Sequence, residues 1–188
     1  MKGGVKVTIR RMSRCALLAA LMCLCGWISV PAGAVCLTMQ SFGVFLTVLL
    51  LGGLDGTVAI LLYLLLGIVG LPVFSGGRGG LGVLLGPTGG YLLGFALLGL
   101  LYWLLEKAGT FAFAGRHRAG ALLEKPFVRC ALGLAACYLS AAVWYHIRCQ
   151  VPLSWAFAVC VVPYLLPDGL KLWLAVCIHQ RLRPLFPQ

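Results

Sequence analysis

The sequence has very few acidic residues and no residue pattern that binds a nucleotide. Only four of its 188 residues are Asp or Glu, and charged side chains make up 10% of the chain. Because soluble domains carry roughly a quarter charged residues, a water-soluble domain with an ordinary polar surface is excluded. The phosphate-binding pattern G-x-x-x-x-G-K-[ST] does not occur either, so the sequence offers no site for ATP.

The chain also lacks C-x-x-C pairs, although it contains nine cysteines. Its three histidines lie far apart in the sequence. Most of the cysteines fall within apolar runs, where a reduced cysteine behaves as a small hydrophobic residue. A disulfide framework or a zinc site is therefore not predicted.

Long apolar runs account for most of the sequence, of which 62% is hydrophobic. Their length and low charge predict an all-α membrane protein with six transmembrane helices. We expect one integral membrane domain over residues 1–188, with a basic N-terminus at 1–13 and a cytoplasmic loop at 106–126. The predicted segments are 15–30, 42–51, 57–71, 88–105, 127–147 and 167–181. The apolar stretch 153–162 is too short to span and is expected to be interfacial or re-entrant.

The basic residues show which ends face the cytoplasm. All Lys and Arg residues except Arg78, Arg148 and Lys171 lie before the first segment, in or beside the loop 106–126, or in the tail. The positive-inside rule places all three regions in the cytoplasm, and six crossings satisfy it. A cleaved signal peptide over 1–34 is the alternative to a first transmembrane helix.

An acid and a base stand together at the start of the last apolar segment. Asp168 and Lys171 are three residues apart, which places them on one helix face within pairing distance. An ionisable residue in a membrane helix costs about 2.5–3.5 kcal/mol and is a candidate for function. The alternative is an ion pair that locks this helix against its neighbour.

Two further patterns involve small residues. The glycine-rich stretch 72–90 predicts an irregular outer loop, although glycine also allows close helix packing. Ala16 and Ala20 have the spacing that lets a partner helix approach, with packing inside the bundle as the alternative. Ser75 lacks a G-x-S-x-G frame, so an intramembrane enzyme is a minor alternative.

Three stretches of the sequence resemble one known family. They are GLPVFSGGRGGLGVLLGPTGGYLLGF at 70–95, CLTMQSFGV at 36–44 and LLPDGLKLWLA at 165–175. Together they are similar to the BioY family, the biotin-specific substrate-binding (S) components of energy-coupling factor (ECF) transporters. The second stretch departs from the family's Thr-Leu-Gln-Thr core at Met39 and Ser41. The resemblance extends from about residue 13 to 183.

This resemblance implies a function and partners. It implies a six-helix S component in the bacterial cell membrane, with a biotin site near the outer face. The chain would then be no enzyme and would use no cofactor, because biotin is the transported ligand. The implied partners are a transmembrane coupling protein, which Ala16 and Ala20 would contact, and two cytoplasmic ATPase subunits. No nucleic acid is expected.

The groups of biotin indicate which residues would bind it. Asp168 is placed to accept the ureido N–H groups, and Lys171 to donate to the ureido oxygen or the carboxylate. Arg78 is a candidate for the carboxylate, because guanidinium pairs with it bidentately. The other candidates are Thr38, Gln40, Tyr91, Gly76, Gly77, Gly89 and Gly90. An S component for another small vitamin and a carrier working without ATPases remain alternatives.

Overall fold

The computed structural model describes residues 9–32, 35–113 and 125–182. Within them the chain forms eight α-helices and one two-stranded hairpin, which the expectation of an all-α chain misses. Strand β1 (Ser29–Ala32) pairs antiparallel with β2 (Val35–Thr38). The helices are α1 (Ile9–Trp27), α2 (Gln40–Leu51), α3 (Gly53–Val69), α4 (Leu81–Leu84), α5 (Gly89–Phe113), α6 (Pro126–Cys149), α7 (Leu153–Cys160) and α8 (Leu165–Leu182).

A single glycine separates α2 from α3, where the sequence predicts a longer turn. Gly52 has φ 80° and ψ 178°, a conformation that glycine adopts readily. The Glu106 carboxylate on α5 accepts a 2.7 Å hydrogen bond from the N–H of Gly53. A carboxylate favours a helix N-terminus because the first N–H groups have no partner within the helix. The side chain of Glu106 therefore caps α3.

The segment between α3 and α5 contains turns, a bridge between Phe74 and Arg78, and the four-residue helix α4. At the other end of the molecule, α5 continues to Phe113 instead of ending near residue 105. The residues 114–124, which include Arg116 and Arg118 of the predicted loop, lie outside the described residues.

The last two helices are nearly continuous. A 3-10 turn at Val162–Tyr164 joins α7 to α8, so the stretch expected to be a separate interfacial piece runs into the last helix. Helix α8 begins at Leu165, which places Pro167 in its first turn. Proline is tolerated there because the missing N–H would have had no helical partner.

In the part of the chain that the structure describes, three helical stretches are long and apolar enough to cross a membrane. They are Gly89–Ala108, Pro126–Cys149 and the run Leu153–Leu182, whereas the apolar helices α2 and α3 are shorter. Large apolar side chains such as Leu65, Val69 and Leu139 are at least half exposed. An apolar surface of this extent is typical of contact with lipid.

Helices α5 and α6 pack at close range through small residues. A Cβ at Gly94 would lie 2.9 Å from the Cα of Cys137, and one at Gly90 would lie 2.8 Å from the Cα of Ala141. Glycine lets helix backbones approach closely in this way. The core on the other side of α5 is built around the fully buried side chains of Met22, Phe45, Tyr63, Phe74 and Leu98.

Candidate functional site

A cavity lies where α2, α5, α6 and α8 meet below the hairpin. The space between its walls amounts to about 650 Å³, including the part that opens to solvent. Six polar side chains of the lining are grouped at the starts of α2 and α8 and on α6: Thr38, Gln40, Ser41, Tyr138, Asp168 and Lys171. The hydroxyl residues Ser75 and Thr88 also line the cavity.

Asp168 is the centre of a hydrogen-bond network that joins three helices. It is 6% exposed. Its Oδ1 accepts from Lys171 Nζ and from the Ser41 hydroxyl, both at 2.8 Å. Its Oδ2 accepts from the Tyr138 hydroxyl at 2.8 Å. A buried carboxylate is stable when it is paired and hydrogen-bonded in this way, so the expected Asp168–Lys171 pair is formed.

All three protons of the Lys171 ammonium have acceptors. Besides Asp168, Nζ donates to the carbonyl oxygen of Thr38 at 2.7 Å and to Ser41 Oγ at 3.2 Å. Since an ammonium has three donors, Lys171 reaches a ligand only by giving up one of these bonds. Its bond to Thr38 also ties the end of β2 to α8.

Aromatic side chains form the apolar walls. Tyr91 on α5 and Tyr164 in the 3-10 turn are arranged edge to face, with ring centroids 6.1 Å apart. The hydroxyl of Tyr91 donates to the carbonyl of Cys160, so this residue serves the cavity with its ring. Phe74, Leu92 and Phe95 add to the apolar lining, together with Val83 and Leu134.

Gln40 is held by a neighbour outside the cavity. Its Nε2 donates to the hydroxyl of Tyr63, and that hydroxyl donates to the carbonyl oxygen of Val73 at 3.1 Å. Gln40 is 4% exposed and Tyr63 is fully buried.

The predicted site residues thus fall into two groups. Asp168, Lys171, Thr38, Gln40 and Tyr91 are brought together in the lining, whereas the other five lie outside it.

Three of those outside are exposed residues in the turn after Phe74. Gly76 and Gly77 have φ of +71° and +70°, and Arg78 Nε donates to the carbonyl of Ser75 at 3.1 Å. The cavity is lined by Ser75 but by none of these three.

Gly89 and Gly90 lie at the start of α5, and a Cβ at Gly89 would lie 1.7 Å from the carbonyl oxygen of Leu84 in α4. Gly90 approaches Ala141 of α6, and its carbonyl accepts from the Ser140 hydroxyl at 2.7 Å. The position of both residues is explained by helix packing.

The predicted partner face lies away from the cavity. Ala16 and Ala20 are exposed on one side of α1, near the middle of the helix. Near them Arg11 forms an ion pair with Asp55 of α3.

Sequence reasoning missed two members of the Asp168 network. Ser41 was noted only as a departure from the family core, yet its hydroxyl bonds both ionic partners. A threonine at this position would carry the same group, so the departure preserves the chemistry. Tyr138 lies in the middle of an apolar helix, and no pattern around it indicates its role.

The chain is similar to one known family over its whole length. The model of the BioY family matches residues 1–188. A protein named "Probable biotin transporter BioY" from Pyrococcus horikoshii is 36% identical over 174 residues, 93% of this chain and 96% of that protein. The "Biotin transporter BioY" of Thermotoga maritima is 46% identical over 106 residues, 56% of this chain and 63% of that protein.

A solved structure has the same fold. It is the S-component for biotin from an ECF-type ABC transporter, with a TM-score of 0.80 and 25% sequence identity over 98% of this chain and 95% of that one. The family model covers the whole length, and the helices superpose over nearly all of it. The chain belongs to the BioY family.

Proposed function

We propose that this chain captures biotin in the cavity beside Asp168 and serves as the S component of an ATP-driven vitamin uptake transporter. The observation that carries the proposal is a buried, hydrogen-bonded acid–base pair facing an aromatic-walled cavity, in a chain whose relatives are named biotin transporters. Biotin is the transported ligand, and no cofactor takes part.

The chemistry of the lining suits biotin. The vitamin has a ureido ring with two N–H donors and one carbonyl acceptor, fused to an apolar ring that carries an acidic tail. Asp168 Oδ2 accepts one bond from Tyr138 and has capacity for another. The rings of Tyr91, Tyr164 and Phe74 offer apolar walls. A cavity that combines such walls with a few fixed polar groups is typical of small-molecule sites.

The carboxylate of the ligand is assigned to the turn after Phe74. Ser75 lines the cavity, and Arg78 is attached to its carbonyl with an exposed guanidinium. A tail that leaves the cavity past Ser75 meets Arg78, while Gly76 and Gly77 allow close backbone approach. The variant Arg78→Gln tests this assignment. It should weaken biotin binding and leave the affinity for a biotin amide unchanged.

The membrane arrangement and the partners are part of the same proposal. Six transmembrane segments in the bacterial cell membrane place both termini and the loop 106–126 in the cytoplasm. Ala16 and Ala20 then lie near the middle of α1 on an exposed face, available to a transmembrane coupling protein that works with two ATPase subunits. Ala16→Leu should abolish co-purification with the coupling protein without affecting biotin binding. A chain that takes up biotin equally well without these subunits would contradict this part.

The central experiment measures equilibrium binding of labelled biotin to the detergent-purified chain. We expect tight binding by the natural sequence and its loss in the double variant Asp168→Asn with Lys171→Met, which leaves no unpaired buried charge and should keep the elution profile in size-exclusion chromatography unchanged. Binding no tighter than micromolar would refute biotin as the ligand. Tight binding of a different vitamin in the same assay would establish the alternative S component.

A further inference from the structure

The orientation of the Gln40 amide is decided by a tyrosine that does not line the cavity. The Tyr63 hydroxyl has one proton, which it donates to the carbonyl oxygen of Val73 at 3.1 Å. A backbone carbonyl only accepts. The bond between Gln40 and Tyr63 must therefore use a proton of Gln40, so the amide turns its NH₂ group to Tyr63.

This arrangement leaves the amide oxygen of Gln40 for the cavity. Within the described residues no hydrogen bond reaches Oε1, and Gln40 is part of the lining. We propose that Tyr63 is a positioning residue: it fixes the Gln40 amide so that its oxygen accepts an N–H of the bound ligand. The inference rests on the proposed function, in which that donor is a ureido N–H of biotin.

The hydrogen-bond capacity of the site supports this assignment. A ureido ring needs two acceptors for its two N–H groups. Asp168 Oδ1 already accepts from Lys171 and Ser41, and Oδ2 accepts from Tyr138, so the carboxylate has capacity for one more bond. The second N–H then requires another acceptor, and the fixed oxygen of Gln40 supplies it.

Tyr63 is itself held firmly from two sides. It is fully buried, and its ring meets Phe74 edge to face with centroids 5.7 Å apart. Its acceptor Val73 lies in the segment that packs on the end of α1, where the Trp27 indole N–H donates to the carbonyl of Pro72 at 2.5 Å. The orientation of the amide is therefore set by packing that exists before any ligand binds.

The test compares biotin with two cyclic carbamate analogues, in each of which a ring oxygen replaces one ureido N–H. The dissociation constants are measured for the purified natural chain and for Tyr63→Phe. In the natural chain one analogue should bind much more weakly than biotin, because its ring oxygen faces the oxygen of Gln40. In Tyr63→Phe the amide is free to turn its NH₂ group to that oxygen. The ratio of the dissociation constant of that analogue to that of biotin should therefore fall about 3- to 10-fold, which corresponds to the free energy of one neutral hydrogen bond.

Two further variants make the outcome decisive. Tyr102→Phe removes a buried tyrosine hydroxyl outside the cavity lining and should leave the preference unchanged. Gln40→Met removes the amide and should lower the preference as Tyr63→Phe does, and an unchanged preference in this variant overturns the proposal even if Tyr63→Phe fails to fold. Biotin binding with an unchanged preference in Gln40→Met, or in folded Tyr63→Phe, would overturn the positioning role. A natural chain that does not bind biotin would instead refute the proposed function.

Discussion

Replacing Lys171 by methionine should both destabilise the fold and abolish ligand binding. The change removes three hydrogen bonds, of 2.7, 2.8 and 3.2 Å, and leaves the Asp168 carboxylate without its counter-charge. The side chains of the pair are only 10% and 8% exposed, so little water reaches the atoms that lose their partner. Removing one member of a buried ion pair costs about 3–5 kcal/mol. We expect Lys171→Met to lose that much free energy of unfolding.

The double variant Asp168→Asn with Lys171→Met separates stability from binding. Because it leaves no buried charge, it should regain most of the lost stability. It should still not bind biotin, since the carboxylate acceptor is gone. If the double variant regains its stability and also binds biotin, the ion pair serves only to hold α8 in place.

Unfolding of the detergent-solubilised protein, followed by tryptophan fluorescence, gives the free energies, and labelled biotin gives the binding. Arg148→Met is the matched control, because it removes an exposed cation at the end of α6 and should change the stability by less than about 0.5 kcal/mol. A Lys171→Met variant as stable as this control would refute the reasoning from the buried network.

Three further outcomes follow from contacts elsewhere in the molecule. Gly94→Ala should cost about 1–3 kcal/mol of stability, because its Cβ would lie 2.9 Å from backbone of α6; denaturation in detergent measures this cost, and an unchanged midpoint would contradict it. Tyr138→Phe removes one donor to Asp168 and should cost about 1.5–3 kcal/mol in the same assay. Asp55→Asn breaks a partly exposed ion pair with Arg11, so a loss above about 1 kcal/mol would be unexpected.

The sequence predicted the positions of most long helices, since an apolar run without charge has few other structures available in a membrane. The boundaries were less accurate where glycine was involved. A single residue, Gly52, makes the turn between α2 and α3, because the cap supplied by Glu106 comes from a distant part of the chain. The hairpin was missed because its strands are four residues long and lie between two helices.

The sequence also predicted some residues of the candidate site correctly as cavity-lining and placed others there that lie outside the lining. Asp168 and Lys171 were predicted from their spacing and from the cost of charge in an apolar segment, and both lie in the cavity. Gly89 and Gly90 were included because they belong to the glycine-rich stretch, yet Gly89 packs against the carbonyl of Leu84 in α4 and Gly90 against α6. A sequence does not distinguish a glycine that admits a ligand from one that admits a helix.

By itself the sequence determined the class of the protein, its family and the one acid–base pair in its last helix, because hydrophobicity, charge and local spacing are properties of the chain as written. Only the tertiary structure decided which groups surround that pair. Ser41 and Tyr138 reach Asp168 from 127 and 30 residues away, and Tyr63 turns Gln40 from another helix. Such contacts depend on how the helices pack, and no local pattern encodes them.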